Sequence, residues 1–228
     1  MRACALLGGP KTQWPTDLQA FLAARQAAGD LLIGVDRGSL LLEELNLVPD
    51  LAVGDFDSLK KTELAQIEEN VPDLRYSIPE KDFTDAELAT KYAFVDYQVD
   101  ALTLYGATGG RLDHFLTNLL MVVKSDFSQY AENIELVDQQ NELRFYWPGQ
   151  HLVNRLPGYT YFGVAPLTAV TGLSITGAKY ELNNYTSAVP LSFASNEFLP
   201  GQDAFDLSFA KGIVAVIQTK DIDRYQSI

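Results

Sequence analysis

The sequence has few of the residues on which several common kinds of site depend. It contains one cysteine, Cys4, which excludes an intrachain disulfide framework. Cys4 lies in an apolar run, so we expect a buried, unreactive thiol rather than a nucleophile. No apolar run reaches the roughly 18 residues of a membrane-spanning helix, and the stretch after Arg2 is too short for a secretory signal. We therefore expect a cytoplasmic protein with no membrane partner.

Basic residues are also in short supply. The 228-residue chain has 17 lysines and arginines against 30 aspartates and glutamates, which gives a formal net charge of −13. The phosphates of nucleic acids demand a basic face, so this balance argues against nonspecific binding to nucleic acid. It suits a cationic substrate or a bound metal ion.

Several familiar motifs are absent. No two glycines stand in G-x-G spacing, so the dinucleotide-binding fingerprint is missing. Residues 9–12 read Gly-Pro-Lys-Thr, with proline where a P-loop needs glycine. Neither H-E-x-x-H nor G-x-S-x-G occurs. Any phosphate chemistry must therefore depend on metal held by carboxylates and on glycine-rich backbone.

The pattern of apolar residues changes near residue 140. Before it, short apolar runs alternate with helical patterns, which predicts βαβ units and a mainly parallel sheet. The predicted strands are residues 3–7, 31–35, 51–53, 74–78, 101–105 and 134–137. The predicted helices are residues 18–28, 39–45 and 60–69, a helix with Leu88, Tyr92 and Val95 on its apolar face, and one with Leu116, Leu119, Leu120 and Val123.

After residue 140, short strand-like runs follow one another closely and are separated by Pro/Gly turns. They cover residues 143–147, 150–154, 160–165, 167–175 and 213–218. Such spacing is typical of an antiparallel sandwich or barrel. We expect two domains, residues 1–139 and residues 140–228.

The most informative segment is Gly54-Asp55-Phe56-Asp57-Ser58, directly after a predicted strand. Ligands gather at the carboxyl ends of strands in open α/β sheets. Paired aspartates there offer the oxygen ligands that Mg²⁺ takes together with substrate phosphates. The alternative is a plain strand-ending turn, because Gly, Asp and Ser are ordinary turn residues.

Two more acidic motifs follow later strands. The first, residues 81–87, includes Asp82 and Asp85, and the spacing of Thr84 and Glu87 also fits a simple capping box. The second, residues 105–114, combines Gly109 and Gly110 with Arg111, a forked donor for phosphate oxygens. Its alternative is a glycine-rich loop in which Asp113 caps a helix. His114 fits a packed or capping-region histidine as well as a catalytic one.

Taken in order, these motifs closely resemble those of the thiamine pyrophosphokinase (thiamine diphosphokinase) family. The family pattern runs Asp-x-Gly, Pro-Asp, Gly-Asp-Phe-Asp-Ser, Asp-x-Thr-Asp and Gly-Ala-Thr-Gly-Gly-Arg-x-Asp-His. The matching residues are Asp36 with Gly38, Pro49-Asp50, Gly54–Ser58, Asp82–Asp85 and Gly106–His114. Residues 192–198 look like the family's Ser-Thr-Ser-Asn-Glu segment.

The resemblance implies a mainly parallel α/β catalytic domain followed by an antiparallel β-sandwich domain, in a homodimer that holds thiamine between subunits. It implies transfer of a pyrophosphoryl group from ATP to the hydroxyethyl oxygen of thiamine, with thiamine diphosphate and AMP as products. Such chemistry depends mainly on positioning and charge neutralisation, with Mg²⁺ clamping the phosphate oxygens.

The resemblance also implies roles for individual residues. The expected metal ligands are Asp55, Asp57 and Asp85, which together with Asp113 form the expected catalytic set. The residues expected to bind nucleotide or phosphate are Asp36, Gly38, Thr84, Thr108, Gly109 and Arg111. The residues expected to bind thiamine are Asp82, Ser195 and Asn196. One carboxylate, with Asp57 as a candidate, accepts the proton of the alcohol.

An aromatic side chain should pack on the cationic thiazolium ring of thiamine. Tyr180, Tyr185 and Trp147 are the candidates, and ordinary packing is the alternative for each. Two rival functions stay open: a related diphosphotransferase acting on another alcohol, such as a hydroxymethylpterin, and a non-catalytic thiamine or nucleotide sensor. Four intact aspartates argue against the sensor, which has no need of a metal cradle.

Overall fold

The computed structural model describes residues 1–77 and 83–221. The chain forms two compact units, one made of Met1–Val122 with Leu136–Gln139, and the other of Val123–Glu135 with the chain from Gln140 onward. Within the described residues, no helix is long and apolar enough to cross a membrane. The division into domains 1–139 and 140–228 stays a prediction.

The first unit is built on a parallel sheet with helices between successive strands. The strand order is β5-β1-β2-β3-β4, and every neighbouring pair is parallel. The strands are β1 (Arg2–Leu6), β2 (Leu31–Val35), β3 (Leu51–Gly54), β4 (Asp73–Tyr76) and β5 (Ala101–Tyr105). The helices are α1 (Leu18–Ala27), α2 (Arg37–Glu44), α3 (Lys61–Asn70), α4 (Asp85–Lys91) and α5 (Leu112–Leu120).

Burial explains why these segments become strands. All five residues of β2 and all four of β3 are buried, as expected where helices cover both faces of a parallel sheet. Cys4 of β1 is buried as well, which fits the expected unreactive thiol. The predicted alternation of strands and helices, and the α/β class with it, is confirmed.

Two predicted helices differ from expectation in which face they bury. The helix containing Leu88 passes after Lys91 into a π-helical turn, Tyr92–Asp96, which rotates the following side chains. As a result Val95 is 51% exposed rather than buried. Along α5, Leu116 is also half-exposed, so the apolar spacing marks a helix correctly but not a buried stripe.

The second unit is an antiparallel β-sandwich. One sheet has the order β12-β9-β14-β7 and the other β11-β10-β13-β8. The strands are β7 (Asn141–Tyr146), β8 (Gly149–Asn154), β9 (Tyr161–Pro166), β10 (Val170–Thr176), β11 (Leu182–Ser187), β12 (Phe193–Glu197), β13 (Ala204–Phe209) and β14 (Val214–Thr219). Phe162 of one sheet stacks on Phe205 of the other, with ring centroids 4.0 Å apart.

The remaining elements are short. Strand β6 (Ile134–Val137) contributes residues to both units. Three 3-10 turns cover Lys11–Gln13, Met121–Val123 and Ser128–Asn133.

Three strands of the sandwich were not expected from the sequence. Strands β11 and β12 carry polar residues on both faces, so they lack the alternation that marks a half-buried strand. Strand β13 does alternate, with Phe205, Leu207 and Phe209 buried, and its pattern was legible in the sequence.

Arg75 of β4 ties this strand to the π-helical turn. Its guanidinium donates to both carboxylate oxygens of Asp73, at 2.8–3.1 Å, and pairs with Asp96. It also lies over the ring of Tyr92, 4.4 Å from the centroid, a cation–π contact. The hydroxyl of Tyr97 donates to Asp73 at 2.8 Å.

This network predicts an alkaline weakening of the fold. Burial and the hydrogen bond to Asp73 raise the pKa of Tyr97 from 10.0 to about 12. Because the folded protein holds this proton more tightly, the contribution is full below about pH 10 and is lost as the pH rises to about 12. Denaturant unfolding from pH 8 to pH 12 should show a steeper decline above pH 10 in the wild type than in Tyr97→Phe. Parallel declines in the two proteins would contradict the prediction.

Candidate active site

Acidic side chains follow neighbouring strands of the parallel sheet at the point where each strand ends. Asp36 comes directly after β2 and Asp55 directly after β3. Asp85 opens α4, which follows β4. Because the carboxyl ends of parallel strands share one edge of the sheet, these carboxylates share that edge.

Asp36 has an unusual backbone conformation. Its φ of 48° and ψ of −122° are sparsely populated for a residue with a side chain, and such strain tends to occur at functional sites. The N–H of Asp36 donates to the carbonyl oxygen of Val53 at 2.7 Å, which ties the ends of β2 and β3 together. The hydroxyl of Ser58 lies 3.3 Å from both carboxylate oxygens of Asp36.

Gly54 allows this close approach. A Cβ at position 54 would lie 2.9 Å from the Cα of Asp36 and 3.2 Å from its Cβ and backbone nitrogen. Any side chain there would push the two strand ends apart. The glycine of the motif is therefore required by backbone packing.

Asp55 and Asp57 are held by the residue between them. Phe56 has a φ of 56° and is 2% exposed. Its ring packs with Ala52, Ile67 and Val71. The N–H of Asp57 donates to Oδ1 of Asp55 at 3.0 Å. Burying one aromatic ring thus turns both flanking carboxylates away from the core.

Asp85 is half-buried in the first turn of α4. Thr84 caps this helix in a capping box with Glu87, at 3.0 and 3.4 Å, so the structural reading of that pair is correct. Burial is the main reason that the pKa of Asp85 is raised, and a hydrogen bond with Ser77 opposes it. The charges of Asp55, Asp36 and Asp57 raise it further, in that order.

The four carboxylates interact electrostatically as one group. The pKa of Asp36 is raised above its ordinary value chiefly by burial. Hydrogen bonds from the Arg37 N–H and from Ser58 oppose this rise, and the charges of Asp55 and Asp57 add to it. Within residues 1–77 and 83–221, no three His, Cys, Asp or Glu side chains are arranged as a ready-made metal cluster. A concentration of carboxylates can nevertheless attract a divalent cation.

Gly38, by contrast, is explained by packing. It is buried in α2, and a Cβ there would fall 1.8 Å from the carbonyl oxygen of Leu6. The helix therefore lies directly on β1 at this point.

The glycine-rich loop follows β5 at the same edge. Gly109 has a φ of +75°, and a Cβ there would lie 2.3 Å from Cγ of Gln13. The hydroxyl of Thr108 donates to Oδ2 of Asp138 at 2.6 Å. Asp138 is buried, and the sequence analysis missed it because a single acidic residue after β6 carries no motif.

Arg111 and Asp113 form a pair at the start of α5. The guanidinium of Arg111 donates to both oxygens of Asp113, and these hydrogen bonds lower the pKa of Asp113 to about 2. Arg111 is the N-cap residue, so the alternative that Asp113 caps the helix is wrong. Both residues of the pair, and His114 after them, are exposed.

The loops after β1 and β5 are joined at the point where the strand order reverses. The N–H of Leu7 donates to Tyr105 at 2.9 Å, and the N–H of Gly9 donates to Gly106 at 3.0 Å. Ligands of open α/β sheets bind at such switch points. The sequence analysis missed Gly9; the glycine pair at residues 8 and 9 was the available signal.

The expected thiamine-binding residues lie elsewhere in the chain. Ser195 and Asn196 belong to β12 in the second unit, where Ser195 is exposed and Asn196 is 6% exposed. Asp82 lies outside the described residues. Its expected role stays a prediction.

Comparison with known proteins gives consistent matches along the chain. Residues 24–136 match the model of the thiamin pyrophosphokinase catalytic domain, and residues 150–214 match that of its vitamin B1 binding domain. The thiamine pyrophosphokinase of Bacillus subtilis is 35% identical over 216 residues, which span 94% of this chain and 96% of the relative.

Solved structures agree. A thiamin pyrophosphokinase family protein from Enterococcus faecalis is 39% identical with a TM-score of 0.87, over 97% of this chain and 100% of that one. The thiamine pyrophosphokinase structure from Bacillus subtilis is 32% identical with a TM-score of 0.81, over 97% and 100% of the two chains. Neither the pterin transferase nor the sensor is favoured by these matches.

The contact between Gly54 and Asp36 makes a stability prediction. Gly54→Ala should lower the free energy of unfolding by about 1–3 kcal/mol, because the new methyl group overpacks a backbone that cannot yield. Gly8→Ala is the matched control, since its Cβ would lie 3.5 Å from Cβ of Arg37, an ordinary contact, and should stay within about 0.5 kcal/mol. Denaturant unfolding measures both. Equal stability of the two variants would show that the strand ends separate freely.

Proposed function

Because the chain belongs to the thiamin pyrophosphokinase family, we propose that it transfers the β- and γ-phosphates of ATP together to the hydroxyethyl oxygen of thiamine. The products are thiamine diphosphate and AMP. The bond that forms joins the thiamine oxygen to the β-phosphorus, and the bond that breaks releases AMP. The alcohol proton goes to a carboxylate of the protein.

The convergence of Asp36, Asp55, Asp57 and Asp85 at one sheet edge is the observation that carries this proposal. Like charges raise one another's pKa, as for Asp36 and Asp85, and a bound cation would offset that repulsion. Carboxylate oxygens are the ligands that Mg²⁺ prefers beside substrate phosphates. The donor set therefore fits the metal that the family implies.

We assign Asp55, Asp57 and Asp85 as the residues that hold Mg²⁺, with Asp36 beside them. When bound, the ion neutralises charge on the phosphate oxygens and aligns the reacting groups. The protein orients these carboxylates before any ligand arrives: Phe56 anchors the first two through its burial, and Ser77 holds Asp85. Such preorganisation lowers the cost of reaching the transition state.

We place the phosphates at the glycine-rich loop. Gly109 brings backbone close to the ligand, and Arg111 has five N–H donors, of which Asp113 takes some and leaves the rest for phosphate oxygens. Asp113 thus orients Arg111. Thr84, Thr108 and Gly38 support this side indirectly, because the first caps α4, the second donates to Asp138 and the third lets α2 pack on β1.

We assign the role of general base to Asp57. It is the most exposed of the four carboxylates, whereas Asp36, Asp55 and Asp85 are half-buried, so it is the one most open to an incoming alcohol. General bases of this kind act within hydrogen-bond reach of the proton that they remove.

The remaining assignments rest on the family. Residues 1–139 bind ATP and Mg²⁺, and residues 140–228 bind thiamine, with Ser195 presenting its hydroxyl from an exposed position. Asp82 adds a substrate contact. The family also supports a homodimer and a cytoplasmic location.

Replacing Asp57 should abolish most turnover and leave the fold intact. Asp57→Asn keeps the shape of the side chain but removes a negative charge and a base, so kcat should fall about 100-fold or more. Asp126→Asn is the control, because it removes the same charge from an exposed residue outside the site. Steady-state kinetics at saturating Mg²⁺ measures both. Near-normal turnover of Asp57→Asn would remove Asp57 from the mechanism.

The fate of the phosphates tests the reaction itself. With ATP labelled separately at the β- and γ-phosphates, both labels should appear on thiamine in equal amounts, with AMP as the nucleotide product. Chromatography of the products resolves these species. Release of ADP with only the γ label on thiamine would identify a simple kinase and overturn the assignment.

A further inference from the structure

Two segments of the second unit are fastened side by side, residues 178–180 and residues 196–198. Ala178 and Phe198 form an antiparallel bridge, and the N–H of Lys179 donates to the carbonyl oxygen of Glu197 at 3.0 Å. The ammonium of Lys179 pairs with the carboxylate of Glu197 at 2.6 Å. The position of Tyr180 is therefore set by a neighbouring strand rather than by its own loop.

The carboxamide of Asn196 completes this fastening. Its Oδ1 accepts from the N–H of Tyr180 at 3.0 Å and from the N–H of Glu197 at 2.9 Å, and its Nδ2 donates to the carbonyl oxygen of Tyr180 at 2.7 Å. Three of the four hydrogen-bonding positions of the amide are thus occupied by backbone. A buried amide used in this way has little left to offer a ligand.

The side chain held by this arrangement is an exposed aromatic ring. Tyr180 is 58% exposed, although both polar groups of its backbone are fixed by Asn196. The ammonium of Lys179 lies 5.5 Å from the centroid of its ring, so a face of the ring already attracts a cation. Fixing a backbone that carries an exposed ring reduces the entropy lost when a ligand binds there.

The other aromatic candidates are engaged differently. Tyr185 packs edge-on against Phe193, with centroids 5.3 Å apart, beside the sandwich core. Trp147 is only partly exposed. Ser195, next to Asn196, is exposed and has a φ of 62° at a shift in register between β12 and β9. The exposed groups around Asn196 are therefore Ser195 and Tyr180.

We propose that Tyr180 contacts the cationic ring system of thiamine and that Asn196 is a positioning residue that acts through Tyr180 instead of touching thiamine. This inference rests on the proposed function, in which the second unit binds thiamine. It changes the role expected for Asn196 from the sequence: the residue holds the backbone that presents the ring, and Ser195 supplies the direct polar contact.

A double-mutant cycle distinguishes the two roles of Asn196. Tyr180→Ala, Asn196→Ala and the double variant are prepared in the full chain, and thiamine dissociation constants are measured by titration calorimetry. Tyr180→Ala should weaken binding roughly 5- to 30-fold, the range of a cation–π contact. Asn196→Ala should weaken it by a similar factor or less, and the double variant should bind no worse than Tyr180→Ala. Independent effects that multiply in the double variant would show that Asn196 contacts thiamine itself.

Further variants keep the test decisive. Tyr180→Phe should restore most of the affinity lost in Tyr180→Ala, since the ring is kept. Asn196→Asp keeps the size of the side chain and removes the donor to the Tyr180 carbonyl, and it should behave like Asn196→Ala if the alanine variant fails to fold. Leu152→Ala removes another exposed apolar side chain from the same unit, 64% exposed, and should leave the dissociation constant unchanged. Unchanged binding by Tyr180→Ala would overturn the proposal.

Enzyme kinetics separates this inference from the proposed function. The Michaelis constant for thiamine should rise in the Tyr180 and Asn196 variants while that for ATP stays within about 2-fold. If the wild type bound thiamine but released no AMP from ATP, the proposed function would fail and the binding cycle would still decide the role of Asn196. Equal rises in both Michaelis constants would mean that the fastened segments only support the fold, which would refute the positioning role.

Discussion

The candidate site depends on holding four like charges close together at one edge of a sheet. Carboxylates repel one another, and burial makes this worse, as the raised pKa values of Asp36 and Asp85 show. Covalent and packing forces have to hold them instead. Phe56 does so for two of them, because its buried ring fixes the residues on either side. The same arrangement that costs stability in the free protein favours a divalent cation.

Much of the first unit could be predicted from the sequence. Its strands are continuously apolar and its motifs follow strand ends, so sheet type and the edge that carries the site were both accessible. What could not be predicted was how individual residues are used. Gly38 belongs to a nucleotide motif by spacing, yet the contact with Leu6 gives it a packing role. Asp138 belongs to no motif and is brought to Thr108 only by the fold.

The second unit was less accessible, for a physical reason. Strands β11 and β12 expose polar residues on both faces, and no periodicity separates such segments from loops. They are defined by pairing with distant strands. The same holds for Asn196, which looks like a ligand in the sequence because asparagine after serine in a polar segment suggests hydrogen bonding to a substrate. Its partner is the backbone of Tyr180, 16 residues earlier, and only the tertiary structure reveals it.

Strand β4 is the last strand of the parallel sheet, and its outer side faces no other strand in the described part of the chain. Exposed edges of this kind are templates for the addition of a strand from another molecule. Here the edge is only four residues long and carries Asp73 and Arg75, whose charges are tied across to Asp96 and to the rings of the π-helical turn. An incoming strand would have to break these ion pairs to reach the backbone. The network around Arg75 therefore also protects the protein against aggregation through its sheet edge.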